Sequence, residues 1–225
     1  MTHRQMAFDL GATETYGRED FFPAASNAAA WQAIENSDDW PQSRLLLIGP
    51  AGAGKTHLAH IWAQTNGAKI LPAASLATVD PTTLHGPLAV EDADETAGLP
   101  APEEALFHLI NHCQHSKTRL LITAKSPPRD WGIRLPDLMS RLQSMGLAQL
   151  HAPDDALLSA VLVKLFADRQ ITVPPNLIPY LSARMERSIS AARALVARLD
   201  AHALQLGRPV TRALAADLLD SPGQG

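Results

Sequence analysis

Residues 45–62 read LLLIGPAGAGKTHLAHIW. Four apolar residues run into Gly49, Pro50, Ala51, Gly52 and Ala53 follow, and then come Gly54, Lys55 and Thr56. Beyond them Leu58, Ile61 and Trp62 recur at helical spacing. A short apolar run closed by glycine is the pattern of a buried parallel strand, and the later spacing is that of an amphipathic helix. Glycine, four residues, then Gly-Lys-Thr between strand and helix is the spacing of a phosphate-binding loop. The chemistry needs these residue types. Glycines let successive backbone N–H groups turn inward around an anion with no Cβ in the way. The helix that starts at Lys55 aims its positive end at the same point. Lys55 supplies a mobile cation for the outer phosphates, and the Thr56 hydroxyl is placed to ligate magnesium. A glycine-rich turn of chance composition would not bring both flanking elements with it.

Outward from the loop, strand and helix patterns alternate. Strand runs are expected at RLLLI (44–48), AKILPA (68–73), PLAV (87–90), RLLIT (119–123) and LAQLHA (147–152), with helices at 26–37, 55–64 and 102–115 between them. Alternation of this kind predicts an α/β fold, a parallel sheet flanked by helices. After Pro153 the periodicity is helical throughout, over 154–170, 175–185, 188–205 and 211–221, with Asp154, Asn176, Ser188 and Thr211 as caps. The expected organisation is a tail over 1–16, a nucleotide-binding α/β domain over 17–152 and a small all-helical lid over 153–225. In PLAVEDAD, Glu91 and Asp92 fall at the carboxyl end of a strand, where open parallel sheets bind ligands. One carboxylate there serves a magnesium shell and the other orients a water for attack on a terminal phosphate. Asp94 and Glu95 follow at once, so a solvated acidic turn is the competing reading.

The chain has 225 residues, 46% hydrophobic and 19% charged, with a net charge of −4. That suits a globular protein with a sizeable core and no overall basic bias toward nucleic acid. A single cysteine, Cys113, excludes an intrachain disulfide and sits in an apolar helical stretch as core. No run approaches the ~18 apolar residues that span a bilayer, and no leader pattern opens the sequence. A cytoplasmic location, with no membrane partner, is the expectation.

Near the start, RQMAFDLG places Gln5, Met6, Phe8 and Leu10 ahead of any element able to bury them. FFPAASNAAAW (21–31), GPAGAGKTHL (49–58), LAVEDAD (88–94), LLITAKSPPRDW (120–131) and LPDLMSRL (135–142) then follow in order, with the helical block behind them. Taken together, these segments resemble the AAA+ ATPases of the DnaA initiator clade over nearly the whole chain. The resemblance implies an AAA+ fold, ADP or ATP with magnesium as cofactors, and Thr56 and Glu91 as metal-side residues. It implies that Phe22 and Pro23 pack on the adenine, and that Arg141 is an arginine finger. Such a finger serves ATP held by a neighbouring subunit, where a cation of this kind is worth ~10³–10⁵ in rate in GTPase systems. It also implies that Gln5, Met6, Phe8 and Leu10 form a peptide for the sliding clamp, the β subunit of DNA polymerase III. A flexible tail can lay such residues into a partner's groove.

Three positions depart from the family's hydrolytic pattern. Glu91 replaces the usual aspartate, Ala124 and Lys125 occupy a sensor position, and Ser190 stands where the lid's sensor arginine falls, with Arg193 one turn further on. Weak or no autonomous ATPase activity is therefore expected, with Asp92, Glu91 and the in-trans Arg141 as the catalytic candidates. The initiator's DNA-reading helix-turn-helix has no counterpart among these residues, so sequence-specific DNA binding is not expected. The implied role is control of replication initiation, with DnaA and the clamp as partners. A homo-oligomer stays open beside a monomer. A helicase-loader-type or other remodelling ATPase is the first alternative, and a small-molecule P-loop kinase the second.

Overall fold

A computed structural model describes residues 16–220. Gln5, Met6, Phe8 and Leu10, and nearly all of the expected tail, lie outside the described residues. Five strands form one parallel sheet: β1 (Arg44–Ile48), β2 (Lys69–Pro72), β3 (Leu88–Glu91), β4 (Leu120–Ala124) and β5 (Gly146–Gln149), in the order β2-β3-β4-β1-β5.

Side chains alternate across a strand, so β1 divides its apolar residues between two layers. Leu46 and Ile48 join Leu88, Val90, Leu120 and Ile122 on one face, against α3 (Pro100–His115) and α4 (Pro136–Gln143). Leu45 and Leu47 join Ala89 and Leu121 on the other, against α1 (Ala28–Glu35) and α2 (Lys55–Asn66). Both faces are covered, which is why the central strands read as continuous apolar runs. Cys113 belongs to the first layer, where burial pushes its thiol up to about 12.

The helix α4 was not expected from the sequence. Its eight residues bury only Leu138 and Leu142, one turn apart, which is too short a signal for periodicity to register. Its start is held by Glu103, a buried carboxylate in α3. That carboxylate accepts from the backbone N–H of Gly98 at 2.7 Å, Arg134 at 3.1 Å and Leu135 at 2.8 Å. A carboxylate at a helix N-terminus answers otherwise open donors and the helix dipole.

Beyond the sheet, α5 (Asp155–Asp168), α6 (Leu177–Ser182), α7 (Ile189–Leu206) and α8 (Arg212–Asp220) share a separate core around Phe166, Leu177, Leu181, Val196 and Leu199. Asp154, Ser188 and Thr211 cap as expected, accepting from the N–H groups of Leu157, Ala191 and Leu214. Asn176 precedes α6 without a side-chain cap bond. Polar contacts join this helical unit to the rest. The Ile189 N–H donates to the Gly52 carbonyl at 2.8 Å, and the Lys164 ammonium lies 2.9 Å from Asp20.

Candidate nucleotide site

All five strands point their carboxyl ends the same way, and the loop from Gly49 to Thr56 leaves β1 at that edge. Gly54 sits at φ +103°, a conformation that favours glycine, and α2 starts behind it with no side-chain cap. Its first-turn N–H groups therefore face the loop's interior, where an anion suits them. Lys55 is buried, and its ammonium donates to the carbonyls of Gly49 at 2.8 Å and Pro50 at 3.0 Å. Burial pulls its pKa below the ordinary lysine value, and Asp92, Asp94 and Glu91 oppose that pull. Those three carboxylates thus converge electrostatically on the loop lysine. Pro50 and Ala51 are exposed, Ala53 is buried, and Thr56 is half-buried at the second position of the helix.

Glu91 ends β3 with its Oε1 buried and unpartnered. An orphaned carboxylate oxygen beside the loop lysine fits a divalent cation bound jointly with Thr56 and phosphate oxygens. Magnesium takes only one or two protein ligands in such sites. No cluster of three acidic, histidine or cysteine side chains suited to a metal occurs among the described residues. Asp92 adopts φ +54°, and its N–H donates to Thr123 Oγ1 at 3.1 Å. Asp94 and Glu95 do not form a merely solvated turn. Asp94 accepts from the Lys125 N–H at 3.1 Å, and the Lys125 ammonium lies 3.4 Å from Glu95. Asp94 first, then Glu95, raise the Lys125 pKa. Lys125 is therefore engaged by the acidic turn.

The lid closes on the loop at one point. A Cβ on Gly52 would come 2.0 Å from Ser188 Oγ and 2.5 Å from Ser190 Oγ. The Ser188 and Ser190 hydroxyls are themselves 2.7 Å apart. Ser190 thus places a neutral hydroxyl beside Gly52 of the loop. Arg193 acts on His57 of the loop helix: burial lowers the His57 pKa, the bond to the Gly17 carbonyl opposes, and Arg193 adds to the lowering.

Before the loop, Phe22 is half-buried and Pro23 exposed. Phe21 contacts the loop helix, stacked on Trp31 at 4.7 Å and edge-on to His57 at 5.6 Å. Tyr16 stacks on His60 at 4.2 Å. Sequence reading missed both rings, and their signal is slight: single aromatics far from the helix they touch.

Arg141 lies at the opposite edge of the sheet. In the last turn of α4, its Nη1 donates to Gln114 Oε1 at 3.1 Å, and the same oxygen accepts from Arg44 at 3.3 Å. Arg44 opens β1 and Gly49 follows its end, so the two sites stand about 16 Å apart along the strand. That exceeds the reach of an arginine side chain.

Sheet order, loop and helical lid define the AAA+ type of P-loop fold, in the form found in domain III of the initiator DnaA. The crystal structure of that domain from Thermotoga maritima superposes with a TM-score of 0.79 at 20% identity, over 91% of this chain and 95% of that one. AMPPCP-bound DnaA from Aquifex aeolicus superposes at 0.71 with 14% identity, over 84% and 66%. In sequence, DnaA of Thermomicrobium roseum is 25% identical over 238 residues, covering 93% of this chain and 50% of that protein. The chain spans about half the length of that curated relative. No protein-family profile matches it. No helix among the described residues is long and apolar enough to cross a membrane.

Proposed function

We propose that this chain is an adenine-nucleotide-binding regulator of replication initiation, of the kind represented by Hda, the regulatory relative of DnaA. Gly49 to Thr56 hold the phosphates of ADP or ATP, with Thr56 and Glu91 on the magnesium side and Phe22 and Pro23 toward the base. The AMPPCP bound by the Aquifex aeolicus relative supports an adenine nucleotide here. When bound, the nucleotide and its cation supply charge that bridges loop and lid, and Arg193 reaches that side from α7. Gln5, Met6, Phe8 and Leu10 dock on the sliding clamp, in the cytoplasm. Arg141 then presents its guanidinium to ATP held by DnaA, neutralising charge that develops on the terminal phosphate.

The observation that carries this reading is the position of Arg141: about 16 Å along β1 from its own loop, on the surface of a cleft of about 490 Å³. A finger so placed serves a neighbour's nucleotide. Ser190 and the engaged Lys125 support a weak ATPase of its own, because neither brings a free cation or a water-orienting acid to the loop. The decisive measurement is phosphate release from ATP-loaded DnaA with the clamp and the full chain. Arg141→Ala is expected to lower the stimulated rate about 100-fold or more. An unchanged rate would remove the mechanism.

A further inference from the structure

Arg44 is fully buried, yet it has no carboxylate within ion-pair distance among the described residues. Its Nη1 and Nη2 reach only the amide oxygens of Gln114 and Gln42, and its Nε has no partner. A buried guanidinium ordinarily takes an acid for company, since an uncompensated charge in a poorly solvated place is costly. Here the local backbone is distorted to give it something else. Gln42 and Ser43, neither of them glycine, sit side by side at φ +52° and +59° immediately before Arg44. Strained backbone of this sort is retained where the surroundings demand it, often at functional sites. The result leaves the positive charge in place. Its outlet is Gln114, whose single Oε1 is shared with Arg141 at the mouth of the cleft. Asp137 also lines that cleft.

We propose that Arg44 and Gln114 are positioning residues for Arg141, and that the three form a two-guanidinium receptor for a terminal phosphate presented by another subunit. Gln114 holds Arg141 by a neutral oxygen, so neither cation is neutralised. Arg44 stands behind it and raises the positive potential at the cleft mouth. An electrostatic site built beforehand in this way acts without rearrangement when charge develops on the phosphate. The proposal rests on the arginine-finger reading above, and it adds that one arginine alone is insufficient.

Gln114→Glu separates it from a structural role. A carboxylate seated between the two guanidiniums gives the buried charge a partner, so Tm should rise by about 2–4 °C. It also halves the receptor's positive charge, from two units to one. With the full chain, the clamp and ATP-loaded DnaA, the maximal stimulated rate should fall about tenfold or more. The half-saturating concentration should change less than about twofold. Arg44→Met keeps the volume, removes the charge, and should lower the same maximal rate about threefold or more with Tm unchanged or raised. A wild-type rate in either variant, beside an inactive Arg141→Ala, overturns this proposal and leaves the finger reading intact. A wild-type rate in Arg141→Ala overturns both. A rate loss in Gln114→Glu with a lower Tm also overturns it, because the carboxylate would then not sit between the arginines.

Discussion

Helices of the sheet domain and helices of the lid begin in different ways. None of α1, α2, α3 or α4 starts with a side-chain cap bond, whereas α5, α7 and α8 are capped by Asp154, Ser188 and Thr211. Each of the first group packs into a layer defined by the sheet's buried leucines and isoleucines. That leaves the start of α2 open for an anion. Lid helices have no sheet to lean on, and three of the four, α5, α7 and α8, have their starts written locally, while α6 starts without a cap bond. An open helix start is thus left bare in one region, while capped starts stabilise three helices of the other.

Gly52→Ala should break this division most. Its Cβ would collide with the Ser188 hydroxyl at a backbone angle, φ +69°, that disfavours alanine. The cost should be about 1–3 kcal/mol, with the Ile189 amide losing protection in hydrogen exchange while β1 amides keep theirs. Adding Ser188→Gly should restore part of that protection. A uniform loss across sheet and lid would mean the two do not separate at this contact.

A smaller effect sharpens the contrast within the lid. Ser188→Ala should lower stability by about 1 kcal/mol in urea unfolding, because Ala191 loses its acceptor. Asn176→Ala, at a helix start with no cap bond, should stay within about 0.5 kcal/mol.

Smallest is Lys164→Met, which severs the ion pairs with Asp20 and Asp168. The expected change is about 0.2–1 kcal/mol, since the pairs are partly exposed. Asp20 and then Asp168 raise the Lys164 pKa above its ordinary 10.5. Its contribution is therefore full below that value and lost as pH climbs through the raised one. Urea midpoints of wild type and variant should differ at about pH 8 and converge as pH climbs past the raised value.

The same contrast explains what the sequence disclosed. Strand runs such as RLLLI and caps such as Asp154 are local patterns, and the structure has them where expected. The loop too is local, from Gly49 to Thr56. Legibility fails where meaning lies in distant contact. Arg44 heads a strand and reads as a solvent-facing charge, and nothing nearby announces that Gln114, 70 residues on, completes its surroundings. Glu103 reads as an ordinary first-turn acid of α3, yet it is buried under the start of α4. Phe21 and Phe22 differ in sequence by nothing except position, and only packing against Trp31 and His57 selects the first.

The strand order also constrains synthesis. β1 lies between β4 and β5, so the first strand made is bordered by the last two. A nascent chain carries Leu45 to Ile48 past the ribosome with neither neighbour until residue 120, and without both until residue 149. During that interval four consecutive apolar residues and an unpaired strand edge are open to other chains. The segment that defines the loop is therefore also the one most in need of chaperone cover before the domain closes.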